Sequence, residues 1–246
     1  MVSALEKIIK MDNPEENDLK VVPFSDVHIG AASVNKTFFK NTIKYIEETE
    51  DCVAVGLGDY CDCINIQDKR FDIKSIDKYF YKDLDNLPMA EMEYFIEAIE
   101  PIKDKILCMI PGNHEDKLRT RMSLDVMKEI KDDLGIQVGD YMTFLRLKFH
   151  RSQFHTSSVI FWMQHGWFSG RKMGGQVNQL NDIAATYNAD VYLAGHSHNL
   201  WANPLELLSM PSSGLELVKS KRIFGNTGTF METTAPDGTR YSEMKA

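Results

Sequence analysis

The residues able to do chemistry in this chain stand in five short clusters. These are "SDVHIG" with Asp26 and His28, "GDYCD" with Asp59 and Asp62, "GNHED" with Asn113 and His114, "QHG" with His165, and "GHSH" with His196 and His198. Five of the seven histidines fall inside them. A single Asp-x-His or His-x-His pair serves a capped turn as readily as a ligand set. The ordered series carries more, because each cluster follows an apolar run with the character of a buried strand. In open α/β sheets the loops at the carboxyl ends of strands converge on one crevice, so residues remote in sequence share a site.

Pooled, the clusters offer the carboxylates of Asp26 and Asp59, the amide oxygen of Asn113 and the imidazoles of His28, His165, His196 and His198, with His114 and Asp62 left over. Imidazole combined with carboxylate suits manganese, iron, zinc or nickel better than calcium, which prefers oxygen alone. Such a set exceeds the needs of one ion and suits two that share a carboxylate. Two ions about 3.5–4 Å apart are a recurring device for hydrolysing phosphate esters, since they lower the pKa of a water and clamp both the attacking and the leaving oxygens.

The elements that must position these clusters alternate between strand and helix. "LKVVPF" (19–24) reads as a buried strand, "NKTFFKNTIKYIEETE" as an amphipathic helix and "CVAVGLG" (52–58) as the next strand, which together make a β-α-β unit with a parallel pair. Residues 60–88 are polar, aromatic and aperiodic, an insertion over the site. "MAEMEYFIEAIEPI" is a helix stopped by Pro101, "KILCMI" (105–110) a third buried strand, and residues 115–134 a helix ending at Gly135. "FLRLKFH" alternates as a half-buried strand, and "SSVIFWMQ" is more continuously apolar. "QVNQLNDIAATYN" reads as helix, "ADVYLAG" as strand, and "KRIFGNTGTFMET" with "PDGTRYSEM" as closing strands and a turn. The expected fold is α/β, with two mixed sheets packed together and helices outside. Residues 1–19 read as a polar N-terminal arm with room for a short helix, and 20–246 as a single domain.

Composition sets the outer bounds. At 246 residues, with 43 % hydrophobic and 26 % charged, the chain can bury one sizeable core. No run of about 18 apolar residues suggests a membrane span, and no secretory leader is evident. The four cysteines lack zinc-like paired spacing, so reduced thiols and a cytoplasmic location are expected. A net charge of −8 opposes a polyanion, but two divalent ions would halve it.

Taken in order, "DVH", "GDYCD", "GNHE", "QHG" and "GHSH" resemble the motifs of the calcineurin-like metallophosphoesterases, over roughly residues 20–230. The resemblance implies a four-layer α/β/β/α sandwich. It also implies two divalent metal ions, manganese foremost with iron, zinc or nickel as alternatives. Asp26, His28 and His198 would hold the first, Asn113, His165 and His196 the second, and Asp59 would bridge. Metal-bound hydroxide would attack phosphorus, while His114, oriented by Asp62, stabilises the developing charge or protonates the leaving oxygen. A carboxylate beside an imidazole favours the protonated ring, which agrees with that pairing.

Protein serine/threonine phosphatases of the family continue G-D-x-x-D with arginine, whereas Cys63 stands here. The chain looks more like the branch of DNA-repair nucleases and phosphodiesterases, and like small phosphoesterases of phages. The leading expectation is a phosphodiesterase acting on single-stranded nucleic acid or a nucleotide. A small-molecule phosphomonoesterase comes second, and a non-catalytic metal-binding scaffold third. Arg171 and Lys172, in the glycine-containing loop after His165, are the first candidates to bind substrate phosphate. Lys117, Arg119, Arg121, Arg146, Lys148 and His150 are further cations near the motifs. Tyr60, Trp167, Phe168 and Trp201 could stack on bases or fill the core. Tyr79, Phe80 and Tyr81 mark the insertion as a lid or a dimer contact.

Overall fold

Successive side chains of a strand point to opposite faces, and the apolar runs of this chain use both. In the computed structural model, residues 2–9, 18–64, 66, 68, 71–152, 155–166, 172–211 and 214–232 are described. In chain order their strands are β1 (Val2–Ile9), β2 (Lys20–Phe24), β3 (Cys52–Gly56), β4 (Ile106–Met109), β5 (Met142–Ser152), β6 (His155–Gln164), β7 (Val191–Ala194), β8 (Leu200–Ser209) and β9 (Val218–Thr227). The helices are α1 (Lys36–Glu48), α2 (Leu87–Ile99), α3 (Asn113–Met122), α4 (Val126–Leu134) and α5 (Met173–Thr186).

Two sheets result, one of three strands in the order β2-β3-β4 and one of six in the order β1-β5-β6-β7-β9-β8. Between them Val55, Leu57, Leu107 and Cys108 meet Leu145, Leu147, Phe161, Met163 and Leu193. Residues one position away face outward. Ala54, Ile106 and Met109 pack with Phe39, Ile43, Phe95 and Ile130 of α1, α2 and α4, and Trp162, Tyr192 and Phe224 pack with Leu180 and Ala184 of α5. The architecture is the four-layer α/β/β/α sandwich.

The structure alters the sequence reading in four places. The smaller sheet is wholly parallel rather than mixed, because a helix-bearing crossover separates each of its strands from the next. The first residues form β1 instead of a polar arm or helix. That strand runs parallel to β5, and Leu5 and Ile9 reach the inter-sheet core; with only those two apolar residues on its inward face, its period was easily missed. The long helix expected over 115–134 is two helices, parted where Ser123 turns left-handed (φ 56°) and Asp125 caps α4 through the N–H of Lys128. Strand β8 was not anticipated, and "PDGTRYSEM" lies outside the described residues.

The insertion is tied down on the helical side. It pairs with the first loop through the bridges Ile29 to Cys61 and Ala31 to Ile76. The Lys36 ammonium of α1 lies over the rings of Tyr79, Phe80 and Tyr94 at 5.0, 5.6 and 5.2 Å and pairs with Asp77. No helix among the described residues is long and apolar enough to cross a membrane.

The inter-sheet layer holds the two halves of the site in register, so it must tolerate cavities poorly. Leu145→Ala, at a fully buried position, should lower unfolding free energy by about 2–5 kcal/mol in urea titration.

Candidate metal centre

Each cluster sits where a strand ends. β2 delivers Asp26 and His28, β3 delivers Asp59, β4 leads to Asn113 and His114 at the start of α3, β6 delivers His165, and β7 delivers His196 and His198. The backbone at Asp26, His28, Asp59, His196 and His198 is left-handed, with φ of 50°, 52°, 53°, 66° and 62°. Aspartate and histidine enter that region more easily than bulkier residues, at a cost of about 1–3 kcal/mol each where the surroundings enforce it.

The loops approach one another at backbone distance. Gly58 has φ +91°, and a Cβ there would lie 2.3 Å from the Gly112 nitrogen; one on Gly112 would lie 2.2 Å from Asp59 Oδ1. Glu115 then clamps the pair. Its carboxylate accepts the N–H groups of Asp59 (3.0 Å), Tyr60 (2.7 Å), Cys61 (3.3 Å) and Gly112 (2.9 Å).

Hydrogen bonds also choose which ring nitrogen faces the centre. His165 Nδ1 donates to the Leu57 carbonyl at 2.6 Å, His114 Nδ1 to the Asp62 carbonyl at 2.5 Å and His28 Nδ1 to Asp62 Oδ1 at 3.2 Å. Each Nε2 is thereby left for the interior, the arrangement that ligating histidines adopt. His28 Nε2 lies 3.3 Å from His198 Nε2, and His165 Nε2 lies 3.1 Å from Asp59 Oδ2 and 3.2 Å from Asn113 Oδ1. Asp26 Oδ1 is buried without a hydrogen bond among the described residues, 3.2 Å from His198 Nε2. Converging lone pairs and an orphaned carboxylate oxygen fit a bound cation. Among the described residues, three groupings each bring their ligand atoms within 4.8 Å of one another: Asp26, His28 and His198; His28, Asp59 and His114; Asp59, His165 and His196.

The calcineurin-like phosphoesterase profile matches residues 19–200, the stretch that carries every one of these clusters. The chain belongs to the calcineurin-like phosphoesterase family. It is a metal-dependent phosphoesterase. A search of curated protein sequences returns no significant match. Among solved structures, a conserved uncharacterized protein from Streptococcus pneumoniae, titled a predicted phosphoesterase, is 12 % identical with TM-score 0.33, over 88 % of this chain and 75 % of that one. A Vps29 single mutant from Entamoeba histolytica is 10 % identical with TM-score 0.39, over 88 % and 77 %. Vacuolar protein sorting 29 from Cryptosporidium parvum is 13 % identical with TM-score 0.39, over 88 % and 79 %.

In this phosphoesterase the seven expected ligands and His114 come together, and Asp62 reaches His114 differently from the expectation. Its backbone carbonyl takes the His114 Nδ1 proton, while its carboxylate is nearer His28 Nδ1 (3.2 Å) than His114 Nδ1 (3.6 Å). Lys172 is exposed at the N-terminus of α5, and Arg171, Trp167 and Phe168 lie outside the described residues, as does the His150 side chain. Of the other candidate cations, Lys117 pairs with Asp68, Arg119 with Asp116, and Arg146 and Lys148 with Glu6. Arg121 is exposed. Tyr60 and Trp201 are core residues. Tyr60 stacks on Phe95 and donates to the Ile110 carbonyl, and Trp201 donates to Gln176.

Sequence reading missed the buried acids that hold the loops. Glu115 was visible only as the last letter of "GNHE". Glu91, on the buried face of α2, accepts the Cys63 N–H at 2.8 Å and fills the space a Cβ on Gly30 would take. An acid among Met92, Phe95 and Ile99 was the available signal. Burial and the charge of Asp62 push the Glu91 carboxyl up; burial and Asp59 do the same to Glu115.

Burial opposes the charge on His28, yet the carboxylates of Asp26 (3.8 Å) and Asp62 (3.2 Å) outweigh it and raise its pKa to about 10. His165 rises to about 9, where burial is outweighed by Asp59. Burial pushes the Asp26 and Asp59 carboxyls up, but the surrounding imidazoles prevail and hold both well below the usual range. Raised imidazoles stabilise the fold below their ordinary 6.5 and lose that contribution as pH rises through 9 to 10. Depressed carboxylates stabilise it above 3.8 and lose that in acid. The raised carboxyls of Glu91 and Glu115 contribute stability that is lost as pH climbs above 4.5, so chelator-treated protein should melt highest near about pH 4 to 5 and progressively lower toward pH 10, and divalent ions should flatten the alkaline fall. A melting temperature that climbs from pH 6.5 to 10 in chelator would contradict this.

Glu115→Gln is nearly isosteric but turns an amide NH2 toward backbone donors. It should cost about 3 kcal/mol in stability and weaken metal binding, as Glu115→Ala should, in paired denaturation and metal titrations.

Proposed function

We propose that this phosphoesterase cleaves phosphodiester bonds of single-stranded nucleic acid or of a nucleotide, using two divalent ions, manganese foremost. The observation that carries the dinuclear reading is the reach of Asp59. Its Oδ2 lies 3.1 Å from His165 Nε2 and 3.9 Å from His28 Nε2, so one carboxylate serves both ends of the cluster. Asp26, His28 and His198 would hold one ion and Asn113, His165 and His196 the other, with Asp59 available to both. When bound, the ions supply an acidified water and neutralise charge on the attacked phosphate.

The chain itself does the rest. The Nδ1 of His114 is committed to the Asp62 carbonyl, so Nε2 is the atom that handles the leaving oxygen's proton. Asp62 fixes the ring and also spans to His28. Preference for a diester follows from the position after G-D-x-x-D. Cys63 is buried and its N–H is bound to Glu91, so this position offers no cation for the second negative charge of a monoester. Lys172 and Arg171 remain the candidates for an outer phosphate contact. Four free, buried thiols accord with a cytoplasmic, reducing setting.

The test is turnover of bis(p-nitrophenyl) phosphate against p-nitrophenyl phosphate after chelation and manganese restoration. Preference for the diester is expected; preference for the monoester would replace this reading with a small-molecule phosphatase. His114→Ala should lose about 10²–10⁴-fold in turnover while retaining metal, measured by elemental analysis. Loss of metal alongside activity would remove His114 from the proton-transfer role.

A further inference from the structure

Strands β8 and β9 run on past the sheet that carries them. β9 pairs with β7 only from Ile223 to Asn226, but with β8 from Val218 to Thr227. The pairs from Leu205 with Arg222 to Ser209 with Val218 thus form an arm, and all ten of these residues except Leu207 and Arg222 are exposed. Eight of the eighteen exposed large apolar side chains among the described residues fall between positions 200 and 223. Leu208 is 64 % exposed, Met210 65 %, Leu215 91 % and Leu217 63 %. Large exposed apolar side chains gathered on one segment mark an interaction site.

We propose that this arm is the contact surface for a second copy of the chain. Charge supports that occupant. Glu206, Glu216, Lys219 and Lys221 are exposed, so the arm offers both signs beside its apolar tip. A two-fold axis sets a patch against itself, and a patch carrying both signs is complementary to its own copy. A lipid surface or a polyanion would instead call for one sign. Size agrees as well. Residues 205–211 and 214–222 approach the 20–30 residues that each side of a stable interface contributes, so two arms with a part of the body suffice.

Pro204 has no N–H to offer at the open edge of β8, which disfavours edge-to-edge strand pairing. The contact is therefore made by the faces and tip of the hairpin. The arm is rooted close to the metal centre, since β8 begins two residues after His198.

Light scattering and sedimentation of the full chain should give twice the 28.1 kDa chain mass. Leu208→Glu combined with Leu217→Glu should return the mass to 28.1 kDa with the circular dichroism spectrum and ester turnover retained. Leu215→Ser, at the most exposed position, should raise the dimer dissociation constant about tenfold and decides the matter if the double variant does not fold. A wild-type chain that stays at 28.1 kDa at every concentration, a folded double variant that stays dimeric, or a Leu215→Ser dissociation constant equal to wild type overturns the proposal. So does flotation of monomeric wild type with phosphatidylserine vesicles, which would assign the arm to a membrane surface.

Discussion

Gathering anionic carboxylates and imidazole lone pairs at one buried point is electrostatically unfavourable unless positive charge is placed among them. Asp26, Asp59 and Asp62 are buried, and ring nitrogens close on the first two, His198 Nε2 at 3.2 Å from Asp26 Oδ1 and His165 Nε2 at 3.1 Å from Asp59 Oδ2. Two kinds of positive charge can satisfy the cluster. Protons do so when they load His28 and His165, which is why both imidazoles are so basic. A divalent ion does so in their place and adds Lewis acidity. Proton and metal compete for the same nitrogens, and the family's chemistry depends on the metal winning.

The surrounding fold holds donors at distances they would not choose unaided. Left-handed backbone at five of the candidate ligands turns the side chains inward, and glycine contacts let two loops touch. Glu115 and Glu91 replace the backbone partners those loops lack, one from the first turn of α3 and one from the core face of α2. The two acids are buried supports beneath the reactive groups, so a substitution there changes the loops before it changes any ligand.

Much of this was legible because strand ends are marked twice, by an apolar run and by the small polar cluster that follows. Asp26, His28, Asp59, Asn113, His165, His196 and His198 could therefore be gathered without coordinates. What escaped was what no local pattern encodes. Strand β1 presents only Leu5 and Ile9 to the core, and its partner is far along the chain. Ser123 interrupts a helical period that continues on both sides of it. The Asp62 contact runs through a carbonyl, which every residue possesses and no sequence displays. Tyr60 and Trp201, which adjoin the motifs and could have stacked on bases or filled the core, fill the core, and only their partners Phe95 and Gln176, far along the chain, decide it.

The parallel pairing of β1 with β5 joins Val2 to Met142 and Ile9 to Phe149. During synthesis the first strand leaves the ribosome long before its neighbour exists, while β2, β3 and β4 can assemble with their own helices. β1 must wait, with its edge open, until β5 has been made. Closing so long a loop is entropically slow. The sandwich is therefore expected to close from the three-stranded side, with the N-terminus docking late against a β5–β6 hairpin that has already formed.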